Sequence, residues 1–153
     1  MAKGVYVLAV DWGNDGSFTT SGDDITARTL NVEWRRGNDY ASQLTGKAVA
    51  GTLVADLNNE SGDYATFNTS SPLSGNLLPG RKVKLTGNDG STTRTLWTGF
   101  LDSIEPIPSA KGANKAKLKA IGPLGYLNKF DVSTTMFASK KAGELIGEIL
   151  DVA

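Results

Sequence analysis

The sequence contains no histidine and no cysteine. Those two absences remove the usual zinc sites, thiol nucleophiles, serine–histidine catalytic systems and any disulfide framework. A metal, if one is held, has to be held by oxygen ligands. An excess of one charge is missing as well: 16 Lys and Arg balance 16 Asp and Glu, so no net field draws the chain toward nucleic acid or an anionic bilayer. There is no long hydrophobic run either. No segment approaches the roughly 20 apolar residues that span a bilayer, and the apolar part of MAKGVYVLAVDW is too short for a secretory signal. These readings imply a soluble chain, made in a cytoplasm and not inserted into a membrane.

What is present is glycine, 18 residues of it, with many Ser, Thr, Asn and Asp. That composition implies frequent turns and an all-β domain. At 153 residues the chain fits one ordinary domain with a real hydrophobic core. VYVLAVDW (5–12) reads as a first strand. ITARTLNVEWRRG (25–37) alternates, with Leu30, Val32 and Trp34 on one face and Asn31, Glu33 and Arg35 on the other, which predicts a half-buried strand. KAVAGTLVADLNN (47–59) puts Val49, Gly51, Leu53, Ala55 and Leu57 on one face. RKVKLTG (81–87) and TRTLWTGFLDSIEPI (93–107) flank Asn88-Asp89-Gly90, a hairpin signal. In the second of these, Leu96, Thr98, Phe100, Asp102 and Ile104 alternate with Trp97, Gly99, Leu101 and Ser103. Both faces are largely apolar, so the strand is expected to be central or to lie under a partner. KAKLKAIG (115–122) is a further strand, and the lysines of KGANKAKLK (111–119) are expected on a solvated strand edge.

The pattern then turns helical. Pro123 opens a short helix near 123–130. From Ser139 an amphipathic helix is expected, with Ala142, Leu145, Ile146, Ile149 and Leu150 on its apolar stripe. The domain reading is a β-barrel or β-sandwich over 1–122, carrying a long loop at 60–80, and a helical extension over 123–153 that has the character of the start of a further domain. The stripe of that last helix needs a surface, from the β domain, a downstream domain or a neighbouring subunit.

Two segments invite a functional reading. DWGNDGSFTTSGDD (11–24) places four aspartates and three glycines in 14 positions. Counted from Asp11 as an EF-hand loop, Asp15, Gly16 and the Ser17 carbonyl fall in register, but Gly13 and Gly22 stand where oxygen ligands belong. A calcium ion held by Asp11, Asn14, Asp15 and Asp23 (or Asp24) is one reading; Asx-turns that cap strand ends are the other. The second segment is the long loop, with two prolines and three glycines but also Tyr64, Phe67, Leu73, Leu77 and Leu78. Those side chains imply an ordered loop, packed on its own domain or on a neighbour. Carboxylate chemistry would fall to Glu33, Glu60, Asp63, Asp102 or Glu105, and nothing in their spacing pairs them. No enzymatic activity is expected.

Several pieces occur together in one order: DWGNDGSF, then LNVEWRRGND, then SSPLSGNLLPGRKVKL, then LWTGFLDSIEP, then AIGPLGYLNK with GELIGEILD. In this the chain resembles the amino-terminal part of tail proteins of double-stranded DNA bacteriophages, the kind that builds the tail hub or tip. The resemblance runs over nearly the whole chain, and SSPLSGNLLPGRKVKL is its most specific part. Gly13 stands where such proteins often carry an acid. The resemblance implies a barrel or sandwich domain that assembles into trimeric or hexameric rings around a channel. It further implies contacts with tube, distal tail and tape-measure components, DNA only in transit, and a place in the virion tail after assembly in the bacterial host cytoplasm. Tyr64, Phe67, Leu73, Leu77, Leu78, Leu145 and Ile149 would then serve as interface residues. Arg35, Arg36, Arg81 and Lys82 would lie at subunit contacts or near the lumen, or be ordinary surface charges. The alternative is a galectin-like carbohydrate-binding module at the tail tip, drawing on Trp12, Trp34, Trp97 and Tyr64.

Overall fold

The computed structural model describes residues 4–36, 49–110 and 113–129, together with Lys141, Gly143, Glu144, Ile146 and Gly147. Six strands are present: β1 (Val5–Val10), β2 (Thr29–Arg35), β3 (Thr52–Asn58), β4 (Lys82–Asn88), β5 (Thr93–Ile107) and β6 (Lys115–Ile121). One short helix follows, α1 (Pro123–Leu127). All neighbours pair antiparallel in the order β1-β4-β5-β6-β3-β2. The sheet curls into a half-barrel. The expectation of a mainly β, barrel-like fold holds; a sandwich does not, because the described strands form a single sheet.

Period-2 alternation builds the core. Leu53, Ala55 and Leu57 of β3 face inward with Ala116, Leu118 and Ala120 of β6, Val83 and Leu85 of β4, and Leu8 and Val10 of β1. Each buried leucine contributes about 1.5–3 kcal/mol. Trp97, also in the core, lies over Gly99. A Cβ on Gly99 would stand 2.4 Å from the indole and 2.2 Å from the Ile121 carbonyl oxygen. Asn88, Asp89 and Gly90 form the expected hairpin turn. The Asp89 carboxylate accepts the Ser91 and Thr92 N–H groups, which holds its pKa below the ordinary carboxylate value.

Three expectations need correction. A register shift between Leu101 and Ser103 turns the strand over at Asp102, so Ile104 packs against the core instead of sharing the outer face with Phe100. The lysines of KAKLK lie on the outer face of an interior strand, since β6 is paired on both sides. There Lys119 pairs with Glu105 at 2.7 Å, which lowers the Glu105 pKa. Most consequentially, β2 is an edge strand that is only partly covered: Val32 packs against the core, but Leu30 is 55 % and Trp34 37 % exposed.

The outer face of β5 is covered by α1, the partner its second apolar face called for. Phe100 and Tyr126 stack with centroids 4.2 Å apart, and Lys129 pairs with Asp102. Residues 123–129, the first part of the 123–153 extension, are thus packed on the sheet. Of the later helix, Gly143, Glu144, Ile146 and Gly147 are helical, and the Glu144 carboxylate accepts the Lys141 N–H at 3.1 Å.

The long loop is ordered by a repeating device. Backbone bonds run from Gly62 N–H to the Asn59 carbonyl, Ala65 to Gly62, Asn68 to Ala65, Ser71 to Asn68, and Ser74 to Ser71. Each turn ends where the next begins. Asn59, Asn68 and Ser71 lock the series by side-chain bonds to neighbouring backbone groups. This loop, the acidic loop and the β5–β6 connection all sit at one end of the sheet. The hairpin turn, the end of β2 and the starts of β3 and α1 sit at the other.

Candidate assembly surface

The acidic loop is built by its own backbone. Asp11 is fully buried, and its two oxygens accept the N–H groups of Asp15 (3.1 Å) and Gly16 (2.9 Å). Buried Asp23 accepts those of Thr20 and Trp12. The Asp15 carboxylate accepts the Ser17 N–H, and Asp24 that of Thr26. Asn14 takes a left-handed conformation at φ 57°. These are the Asx-turns of the second reading. Among the described residues no group of three or more acidic side chains is gathered so as to hold a metal ion. The loop folds across β4, with Phe18 under the Lys84 ammonium at 5.6 Å.

The expected interface residues divide. Tyr64 and Leu77 are buried in the chain's own core, and Leu73 is half-buried against it. As subunit contacts, Tyr64 and Leu77 are therefore corrected: their surface is already used. The Tyr64 ring packs on Trp12 at 6.2 Å, under Arg28, which pairs with Asp63 at 2.7 Å. Burial pushes the Tyr64 phenol up to about 12, the Arg28 charge opposing and Asp63 adding to the shift. Phe67, 79 % exposed, and Leu78 remain on the surface. Phe67 borders a groove of about 650 Å³ with Pro106, Ile107 and Pro108. Leu145 and Ile149 lie outside the described residues.

The other candidates are placed as follows. Asp63, Asp102 and Glu105 are each matched to a cation, Arg28, Lys129 and Lys119 respectively. Arg36 donates to the Leu96 carbonyl and Arg81 to that of Asn76. Of the aromatics a sugar site would draw on, Trp12, Trp97 and Tyr64 are buried and Trp34 is exposed. Among the described residues no helix is long and apolar enough to cross a membrane.

What residue-by-residue reading missed is the open side of the half-barrel. Among the described residues β1 and β2 are the two edges of the sheet and are not paired with one another. Segment 23–26 covers part of the β1 edge, through bonds from Val10 N–H to the Asp23 carbonyl and Ile25 N–H to the Leu8 carbonyl. Beyond it Tyr6, 52 % exposed, reaches Trp34 with ring centroids 6.4 Å apart. Along β2 runs a cleft of about 590 Å³, lined by Val32, Glu33, Trp34, Arg35, Thr52 and Val54.

No protein-family model matches the chain, and no curated protein matches it in sequence.

Proposed function

We propose that this chain is a structural subunit of a bacteriophage tail, in the hub, tip or baseplate, that forms a ring around the tail channel through contacts with its own copies and with other tail proteins. The observation that carries the reading is the half-barrel left open between β1 and β2, with Val5, Tyr6, Leu30 and Trp34 exposed along its two edges. An apolar strand left at a sheet edge is a template for pairing, and a monomer normally blunts it. The resemblance carried by SSPLSGNLLPGRKVKL supplies the tail context. The half-buried pattern of β2 in the sequence and its exposure in the isolated chain are reconciled if a neighbour supplies the missing cover.

The test is a mass measurement in solution, on the chain alone and mixed with tube and distal tail proteins. Rings of three or six copies are expected in the mixture. A chain that stays monomeric at every concentration and joins no ring with those components would count against the assignment.

A further inference from the structure

The hydrogen-bond phase of β2 can be fixed. Gly122 N–H bonds to the Gly51 carbonyl, and Asn59 N–H to the Asn114 carbonyl. In an antiparallel ladder successive residues bond to alternate sides, so the odd residues of β3 face β6 and its even residues face β2. Thr52 is opposite Arg35, Val54 opposite Glu33 and Asp56 opposite Asn31. It follows that Asn31, Glu33 and Arg35 bond inward to β3. The main-chain N–H and C=O of Val32 and Trp34 point out of the sheet, into the cleft along β2. That cleft is lined from both faces of the strand by β2 and β3 residues, and β1 reaches it through Tyr6, whose ring lies 6.4 Å from that of Trp34 and leaves the Trp34 main chain to the edge.

We infer that the β2 edge pairs with the β2 edge of a second copy of this chain about a twofold axis centred on Trp34, with Glu33 opposite the second copy's Arg35 and Arg35 opposite its Glu33. The register follows by elimination. Antiparallel self-pairing has to set even residues against even ones, which a twofold centred on any one residue does; a centre at Arg35 opposes that cation to itself, and one at 30 or 31 lies in the irregularity between Thr29 and Asn31. A centre at Glu33 opposes that carboxylate to itself, which is unfavourable at the close cross-strand distance. A centre at Val32 carries the pairing into the irregularity between Thr29 and Asn31, where the strand register shifts. The centre at Trp34 avoids that irregularity, sets residues 33–35 of the two copies against one another at the end of the strand, and forms two opposite-charge pairs on the exposed outer face. It sets Trp34 against its own counterpart and joins two six-stranded sheets into one. A twofold contact is isologous, whereas a cyclic ring needs heterologous ones. The pair is therefore the state of the chain outside the particle, one that shields the edge until assembly. It rests on the self-association reading only in taking β2 as the surface used.

The experiment is sedimentation equilibrium of the full chain, with Glu33→Arg, Arg35→Glu, the double exchange, and a one-to-one mixture of the two single variants. The parent chain should show a monomer–dimer equilibrium. Each single variant sets like charges opposite one another twice and should raise the dimer Kd about tenfold or more. The double exchange should restore dimers. The mixture should form heterodimers, because one single variant carries only cations at positions 33 and 35 and the other only anions, so that every cross-strand pair joins opposite charges. Circular dichroism should be the same for all, since these side chains are exposed. Dimers indifferent to both exchanges overturn the register while leaving self-association standing. A parent that is purely monomeric, or purely a ring of three, overturns the twofold pair, and only the monomer also counts against the ring subunit.

Discussion

Asp11 shows how one side chain can shape a loop. It closes β1, is fully buried, and holds the Asp15 and Gly16 amides with its two oxygens. The bend at Asn14 and Gly16, both at positive φ, is drawn around this carboxylate. Removing it leaves two amides without their acceptor beneath the loop. Asp11→Ala is expected to cost about 2–4 kcal/mol, read as a lowered urea midpoint. Asp24→Ala, which loses a single bond to Thr26 at the surface, should cost about 1 kcal/mol or less. With the carboxylates committed to backbone amides, millimolar calcium or a chelator should leave the melting temperature of the parent unmoved. A rise of several degrees with calcium alone would return the ion to this loop.

At the scale of elements, β5 carries the most constraint. It is paired on both sides, packs Trp97 and Leu101 inward, and lies under α1 at Phe100. Gly99 is where these demands meet. A methyl group there overlaps the Ile121 backbone, which cannot swing away, so Gly99→Ala should lose about 3 kcal/mol. Gly87→Ala is the control: its methyl meets only side chains, Leu96 at 3.0 Å and Tyr6 at 3.4 Å, and should cost clearly less. Thermal unfolding of the two variants makes the comparison. Strands such as β3 and β6 were legible because one apolar face per strand survives in the alternation. The hairpin was legible because Asn88-Asp89-Gly90 is a local signal. The bulge at Asp102 was not, since a register shift depends on the partner strand. The exposure of β2 was hidden for the same reason: alternation says that a strand has an apolar face, and sheet order decides whether anything covers it. The long loop was readable as ordered from its aromatic and leucine content. Whether Tyr64 and Leu77 turned inward or toward a neighbour was not, because composition carries no direction.

Among the described residues, the half-barrel as a whole is closed at one end and open along one side. At the closed end the run of turns brings Tyr64 into the core beside Trp12, so the long loop is part of the folding unit. Its phenol ties global stability to alkaline pH. The folded-state pKa is raised from 10.0 to about 12, chiefly by burial. Below pH 10 the phenol is protonated in both folded and unfolded chains, and stability does not depend on it. Between pH 10 and about 12 the unfolded chain gives up this proton first, so the folded state, which binds more protons, loses stability as pH rises. A two-unit shift corresponds to on the order of 2 kcal/mol lost by the top of that window. Lysines titrate over the same range, so the quantity to measure is the difference between the parent and Tyr64→Phe in urea unfolding at pH 8 and pH 11. The parent should fall more steeply, because the variant has no phenol to ionise. Equal slopes would mean that the long loop does not hold Tyr64 in the core in solution, and that this end of the half-barrel is open as well.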